Sequence, residues 1–125
     1  MREVLDEARV HPAIRDKIAQ SGRDSLQTVQ AAVRLHDIVI VGMRQNPFPK
    51  RARRLLDEHR IGYEYIEYGS YLSKWRERLP LKLWTGWPTF PMIFVKGVLI
   101  GGYDDLYRLM ASGELEQLRA APRAG

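Results

Sequence analysis

Ile38-Val39-Ile40-Val41-Gly42-Met43-Arg44-Gln45-Asn46-Pro47-Phe48-Pro49-Lys50-Arg51-Ala52-Arg53-Arg54-Leu55-Leu56 is the stretch that decides the fold. Its first four residues form a β-branched run with no polar face, as a central strand buried on both sides requires. A helix follows from about Pro47 to His59, placing Phe48, Ala52, Leu55 and Leu56 on one face. Between strand and helix lies a short loop, and its Asn46-Pro47 pair reads as a helix start.

Downstream, Ile61 to Tyr68 is rich in β-formers and bounded by Gly62 and Gly69. Ser70 to Leu79 carries Leu72, Trp75 and Leu79 at helical spacing. Pro91 to Val95 and Val98 to Ile100 read as two strands joined through Lys96-Gly97, a hairpin turn signal. Tyr103 to Met110 and Glu114 to Leu118 close the chain as helix. Upstream, the first 22 residues read as one or two helical pieces, with a restart at Pro12 and a stop at Ser21-Gly22. Asp24 is then positioned to cap a helix carrying Leu26, Val29 and Val33. The order is helix, β-α-β, helix, β-hairpin, helix. Strands separated by a helix run parallel with a right-handed crossover, and the hairpin strands run antiparallel. The expectation is an α/β fold with a small four-stranded mixed sheet flanked by helices. An N-terminal helical extension (1–22) precedes the main domain (23–119), and a disordered tail (120–125) follows it.

The chain has 125 residues, enough for one domain. At 45% hydrophobic and 28% charged it has the composition of an ordinary globular protein. Its longest apolar run is far short of a membrane span, and its first twenty residues lack a signal-like apolar core, so the expected location is cytoplasmic, with no membrane partner. It contains no cysteine. A disulfide framework, a thiolate nucleophile, an iron–sulfur cluster or a cysteine-zinc site therefore cannot be built from this chain alone. His11, His36 and His59 are scattered, which argues against a metal cage. The net charge of +5 is concentrated: residues 38–82 hold ten Lys/Arg against five Asp/Glu, and the flanking thirds are balanced. This basic middle reads either as solvated surface or as a patch for an anion or acidic partner. The tyrosines at 63, 65, 68 and 71 fit strand spacing better than a nucleic-acid stacking surface. Trp84 and Trp87 are either packed or form an exposed rim.

Three segments together resemble the glutaredoxin family, which has the thioredoxin fold. Val41 to Ala52 resembles its strand, active-site loop and helix start. Trp87-Pro88-Thr89-Phe90-Pro91 resembles the loop carrying its cis-proline, and Gly101-Gly102-Tyr103-Asp104-Asp105-Leu106 resembles its glycine pair and acidic residue. The helix before the first strand and the Trp-Pro before Thr89 are similar to the monothiol branch. The resemblance places the family's Cys-Pro-Tyr-Cys on Asn46-Pro47-Phe48-Pro49, so Asn46 and Pro49 occupy the cysteine positions.

For the family the resemblance implies a glutathione-dependent thiol–disulfide oxidoreductase in cell redox homeostasis. The chemistry needs a thiolate that attacks sulfur, and an amide is no substitute, so enzymatic activity is not expected. The monothiol relatives' iron–sulfur cluster also loses its protein ligand. What the resemblance leaves is a glutathione groove. Arg44 and Phe48 lie beside the loop, and Phe90 with Pro91 offers a peptide-like edge. Gly102, Tyr103 and Asp104 are placed for the γ-glutamyl end. The expected function is binding of glutathione or a glutathionylated peptide without thiol chemistry. The alternative is a protein-interaction module with a vestigial groove, meeting an acidic partner through Lys50, Arg51, Arg53 and Arg54. Arg53–Asp57 and Arg54–Glu58 are also spaced as i,i+4 pairs, so a salt-bridged solvated face is the competing reading of that helix.

Overall fold

The all-apolar run forms strand β1 (Ile38–Gly42), every residue of which is buried in this computed structural model. The structure describes residues 12–44, 46–69 and 75–122. Before β1 lies helix α1 (Pro12–Leu35); after it come α2 (Pro47–Glu58), β2 (Glu64–Glu67) and α3 (Trp75–Thr85). The hairpin β3 (Met92–Val95) and β4 (Val98–Gly101) follows, then α4 (Tyr103–Ser112) and α5 (Glu114–Ala120). The strands form one four-stranded sheet in the order β2-β1-β3-β4. β1 pairs parallel with β2 and antiparallel with β3, and β3 pairs antiparallel with β4. This is the thioredoxin-like arrangement.

Strand alternation divides the core into two layers. Val39, Val41, Met92 and Phe94 point to one face, against Val29 and Val33 of α1 and Leu81 of α3. Ile38, Ile40, Ile93 and Val95 point to the other, against Ala52 and Leu56 of α2, Leu106 of α4 and Leu115 of α5. A strand with no polar residue suits a position with helices on both sides. On edge strand β2 the tyrosines follow the same alternation, Tyr65 joining the second layer while Ile66 joins the first. The turn between β3 and β4 is two residues long, with Lys96 and Gly97 both at positive φ (51° and 84°), as a tight hairpin requires.

Several boundaries differ from expectation. Helix α1 runs through Ser21-Gly22 without a stop, and Asp24 lies inside it rather than at a cap. A glycine in a helix costs only about 1 kcal/mol, and the packed Leu26-Val29-Val33 stripe supports the helix beyond it. The helix expected to end at Leu79 continues past Pro80 to Thr85, with Leu81 fully buried against α1. Ser25 Oγ donates to the Glu77 carbonyl at 2.8 Å, linking α1 to α3. The β2 ladder is shorter than the β-rich segment around it. The expected tail begins later than position 120, because Ala120 is the last residue of α5; residues 1–11, Tyr71, Leu72 and 123–125 lie outside the described residues.

Candidate functional site

At one end of the sheet, the loops after β1 and before β3 meet the start of α4. Asn46 is the N-cap of α2, with extended backbone (φ −98°, ψ 122°). Its side-chain Oδ1 accepts from the Phe48 N–H at 3.0 Å, and its Nδ2 donates to the Phe90 carbonyl at 2.8 Å. One amide therefore caps the helix and ties it to the facing loop. Pro47 and Pro49 stand at the first and third helical positions, where they carry no N–H. Together with the engaged Phe48 N–H, this leaves the first turn of α2 without a free backbone donor. Pro49 is buried against β1: a Cβ on Gly42 would lie 2.7 Å from Pro49 Cβ. The Phe90-Pro91 peptide is cis, as the resemblance implied.

The opposite wall is made differently. Gly101 has a φ of 112°, and an added Cβ there would collide with the Asp105 carboxylate. The Gly102 N–H donates to Asp105 Oδ2 at 2.9 Å. This pins the N-terminus of α4, whose remaining first-turn N–H groups have no partner within the helix. Between the walls is a cleft of about 390 Å³. Of the residues singled out from sequence, Phe48, Phe90, Pro91, Gly102, Tyr103 and Asp104 all line it, as does Asn46. Arg44 does not line it. Its side chain is largely exposed, and its Nε lies 3.8 Å from Glu67 Oε2 on β2.

Pro47, Thr89, Trp87 and Asp105 also line the cleft and escaped the sequence reading as site residues. A capping signal existed for Asp105, which sits three residues after Gly102. Trp87 lay inside the segment that resembles the cis-proline loop, but its approach to Gly102 is a contact fifteen positions away in sequence. Its Nε1 is buried without a hydrogen-bond partner among the described residues, and lies near Gly102. Phe48 is 42% exposed, and its ring centroid is 6.4 Å from that of Tyr103 across the cleft.

The basic helix departs from its expected pairing. Among the described residues no ion pair joins Arg53 to Asp57 or Arg54 to Glu58. Arg53 instead places its guanidinium 4.2 Å from the Tyr65 ring centroid, and Arg51 sits 5.2 Å from that of Phe48. Burial, with the hydrogen bond to Glu67 second, pushes the Tyr65 hydroxyl up to about 12. Trp84 is stacked on Phe94 at 5.6 Å and remains partly exposed.

Comparison with known proteins decides the family. The glutaredoxin family model matches residues 38–100, from the start of β1 into β4. The chain is 40% identical over 92 residues to a glutaredoxin-like protein of Dictyostelium discoideum, covering 74% of this chain and 75% of that one. The chain belongs to the glutaredoxin family. Glutaredoxin 1 of Rickettsia felis is 34% identical over 84 residues, covering 67% of this chain and 81% of its own length. Among solved structures, a mutated buckwheat glutaredoxin superposes with a TM-score of 0.72 at 25% identity, over 81% of this chain and 92% of that one. A buckwheat glutaredoxin–glutathione complex superposes with a TM-score of 0.68 at 24% identity, over 79% and 90% of the two chains, a likeness of fold. This glutaredoxin-family protein carries Asn46 and Pro49 at the family's cysteine positions and has no cysteine elsewhere.

Proposed function

We propose that this glutaredoxin-family protein binds glutathione, or the glutathione moiety of a glutathionylated peptide, in the cleft without exchanging thiols. The observation that carries this reading is the pairing of an open cleft with an inert N-cap on α2. Asn46 spends both polar ends inside the protein, while the opposite wall keeps its unpaired N–H groups. A γ-glutamyl carboxylate suits those N–H groups at the start of α4, and Asp104 suits the neighbouring ammonium. The Phe90 edge suits the peptide backbone, although its carbonyl already accepts from Asn46. Support from outside the chain is the buckwheat relative of like fold, a glutaredoxin–glutathione complex. Arg44 lies outside the cleft beside Glu67, so we assign the glycyl carboxylate to the exposed Lys50 and Arg51 at the start of α2. The same cations, with Arg54, suit an acidic peptide carrying the glutathione, and we place the protein in the cytoplasm.

Calorimetric titration with reduced glutathione tests the reading. The expected result is saturable binding that weakens about tenfold in Asp104→Ala, the cost of one charge-assisted contact. Absence of binding in the native protein would overturn it.

A further inference from the structure

We infer that the ligand favoured by this cleft is glutathione whose sulfur is already capped by an apolar group, a thioether conjugate, rather than the free thiol or the disulfide. The inference deepens the glutathione reading and rests on it.

Two features of the cleft point the same way. The first is what the start of α2 withholds. A free thiol gains affinity in such a site by ionising, and that requires backbone donors at the helix N-terminus. Here Pro47 and Pro49 have none, the Phe48 N–H is held by Asn46 Oδ1, and Asn46 Nδ2 is held by the Phe90 carbonyl. A sulfur beside Asn46 therefore meets no unengaged N–H from this turn. A thiolate there gives up water for no partner, so the free thiol has no ionic advantage over a neutral thioether. A disulfide gains no covalent capture, because the chain has no thiol to attack it.

The second feature is what the mouth of the cleft offers. Phe48 follows Asn46 by two residues and is exposed over 42% of its surface. Its ring stands 6.4 Å from Tyr103 on the facing wall, and Tyr103 stands 6.4 Å from Tyr107, itself 55% exposed. The three rings form an aromatic strip, with the Arg51 guanidinium over Phe48, that starts beside the inert amide and leads out of the cleft along α4. An aliphatic or aromatic group on the ligand's sulfur would cover the exposed faces of Phe48 and Tyr103, which glutathione alone, polar at both ends, cannot do.

The test compares three probes by calorimetry on the full chain: S-benzylglutathione, reduced glutathione and glutathione disulfide. The expected result is S-benzylglutathione binding about tenfold more tightly than reduced glutathione, as burial of one aromatic ring warrants. The ratio of the two affinities should fall towards one in Phe48→Ala, and again in Tyr103→Leu, whatever happens to the absolute affinities. Equal binding of the two in the native protein, tighter binding of the disulfide, or a ratio untouched by both substitutions would overturn the inference while leaving glutathione binding standing. Failure of all three probes to bind would overturn both.

Discussion

The side-chain amide nitrogen of Asn46 donates to the backbone carbonyl of Phe90 at 2.8 Å, across 44 positions of sequence. The bond joins the N-cap of α2 to the residue before the cis-proline. In this chain the junction is a closed hydrogen-bonded contact. It ties the start of α2 to the facing loop at the position where the resemblance places the family's nucleophilic cysteine.

Removing that amide should loosen both elements. Asn46→Ala is expected to cost about 1–3 kcal/mol, combining a lost N-cap with an unpaired carbonyl. Asn46→Asp keeps the capping oxygen but turns the donor into an acceptor facing the Phe90 carbonyl, so it should gain nothing over alanine at the bridge. Urea unfolding monitored by circular dichroism measures both, and an alanine variant as stable as the native chain would contradict the geometry.

The native protein should show no turnover in a glutathione-coupled disulfide reduction assay, because no residue can form the mixed disulfide. Asn46→Cys should gain measurable turnover. It frees the Phe48 N–H and places sulfur at a helix N-terminus beside Lys50 and Arg51, so its thiol should titrate below free cysteine. A thiol titrating at or above the free value would argue against this helix start.

The close approach of Pro49 to β1 predicts a coupled pair. Gly42→Ala puts a Cβ 2.7 Å from Pro49 Cβ and 2.9 Å from the Tyr65 hydroxyl. Overpacking of this kind costs about 1–3 kcal/mol. Adding Pro49→Gly, which removes the Cβ it meets, should return part of that loss, so the double substitution should be less damaging than the sum of the singles. Strict additivity in denaturant unfolding would count against the contact.

Much of this was legible in the sequence for a physical reason. The Ile38–Val41 run has no polar face, so its place at the sheet centre followed from composition alone. The Asn-Pro-Phe-Pro stretch stated its own cap. The less legible parts depend on contacts distant in sequence. Nothing near Arg44 indicates that Glu67 on the neighbouring strand is its partner, and i,i+4 spacing favoured Asp57 for Arg53, although Tyr65 of β2 is what its guanidinium meets. The approach of the Trp87 ring to Gly102 was hidden because the two lie fifteen positions apart in sequence. Helix α1 passed Ser21-Gly22 because a weak helix former is a cost rather than a barrier.

Tyr65 gives the fold a dependence on alkaline pH. Its hydroxyl is raised to about 12 against an ordinary value of 10.0, mainly by burial. The folded state thus retains the proton after the unfolded state has lost it, so stability is full below pH 10 and falls as pH rises from there towards 12. Tyr65→Phe should flatten part of that fall, as read by urea midpoints across this range. Tyr68, raised chiefly by burial as well, supplies a further share that the substitution leaves in place. An unchanged slope in Tyr65→Phe would show that the hydroxyl is not held in its neutral form.

The most direct test of the central claim is a titration of reduced glutathione into isotope-labelled protein, following backbone amide shifts. The account predicts saturable shifts at Phe90, Gly102, Tyr103 and Asp104, with Arg44 unmoved, in a protein that shows no disulfide reductase activity. Flat spectra at millimolar glutathione would contradict it, and would mean that the cleft outlived its ligand as well as its thiol.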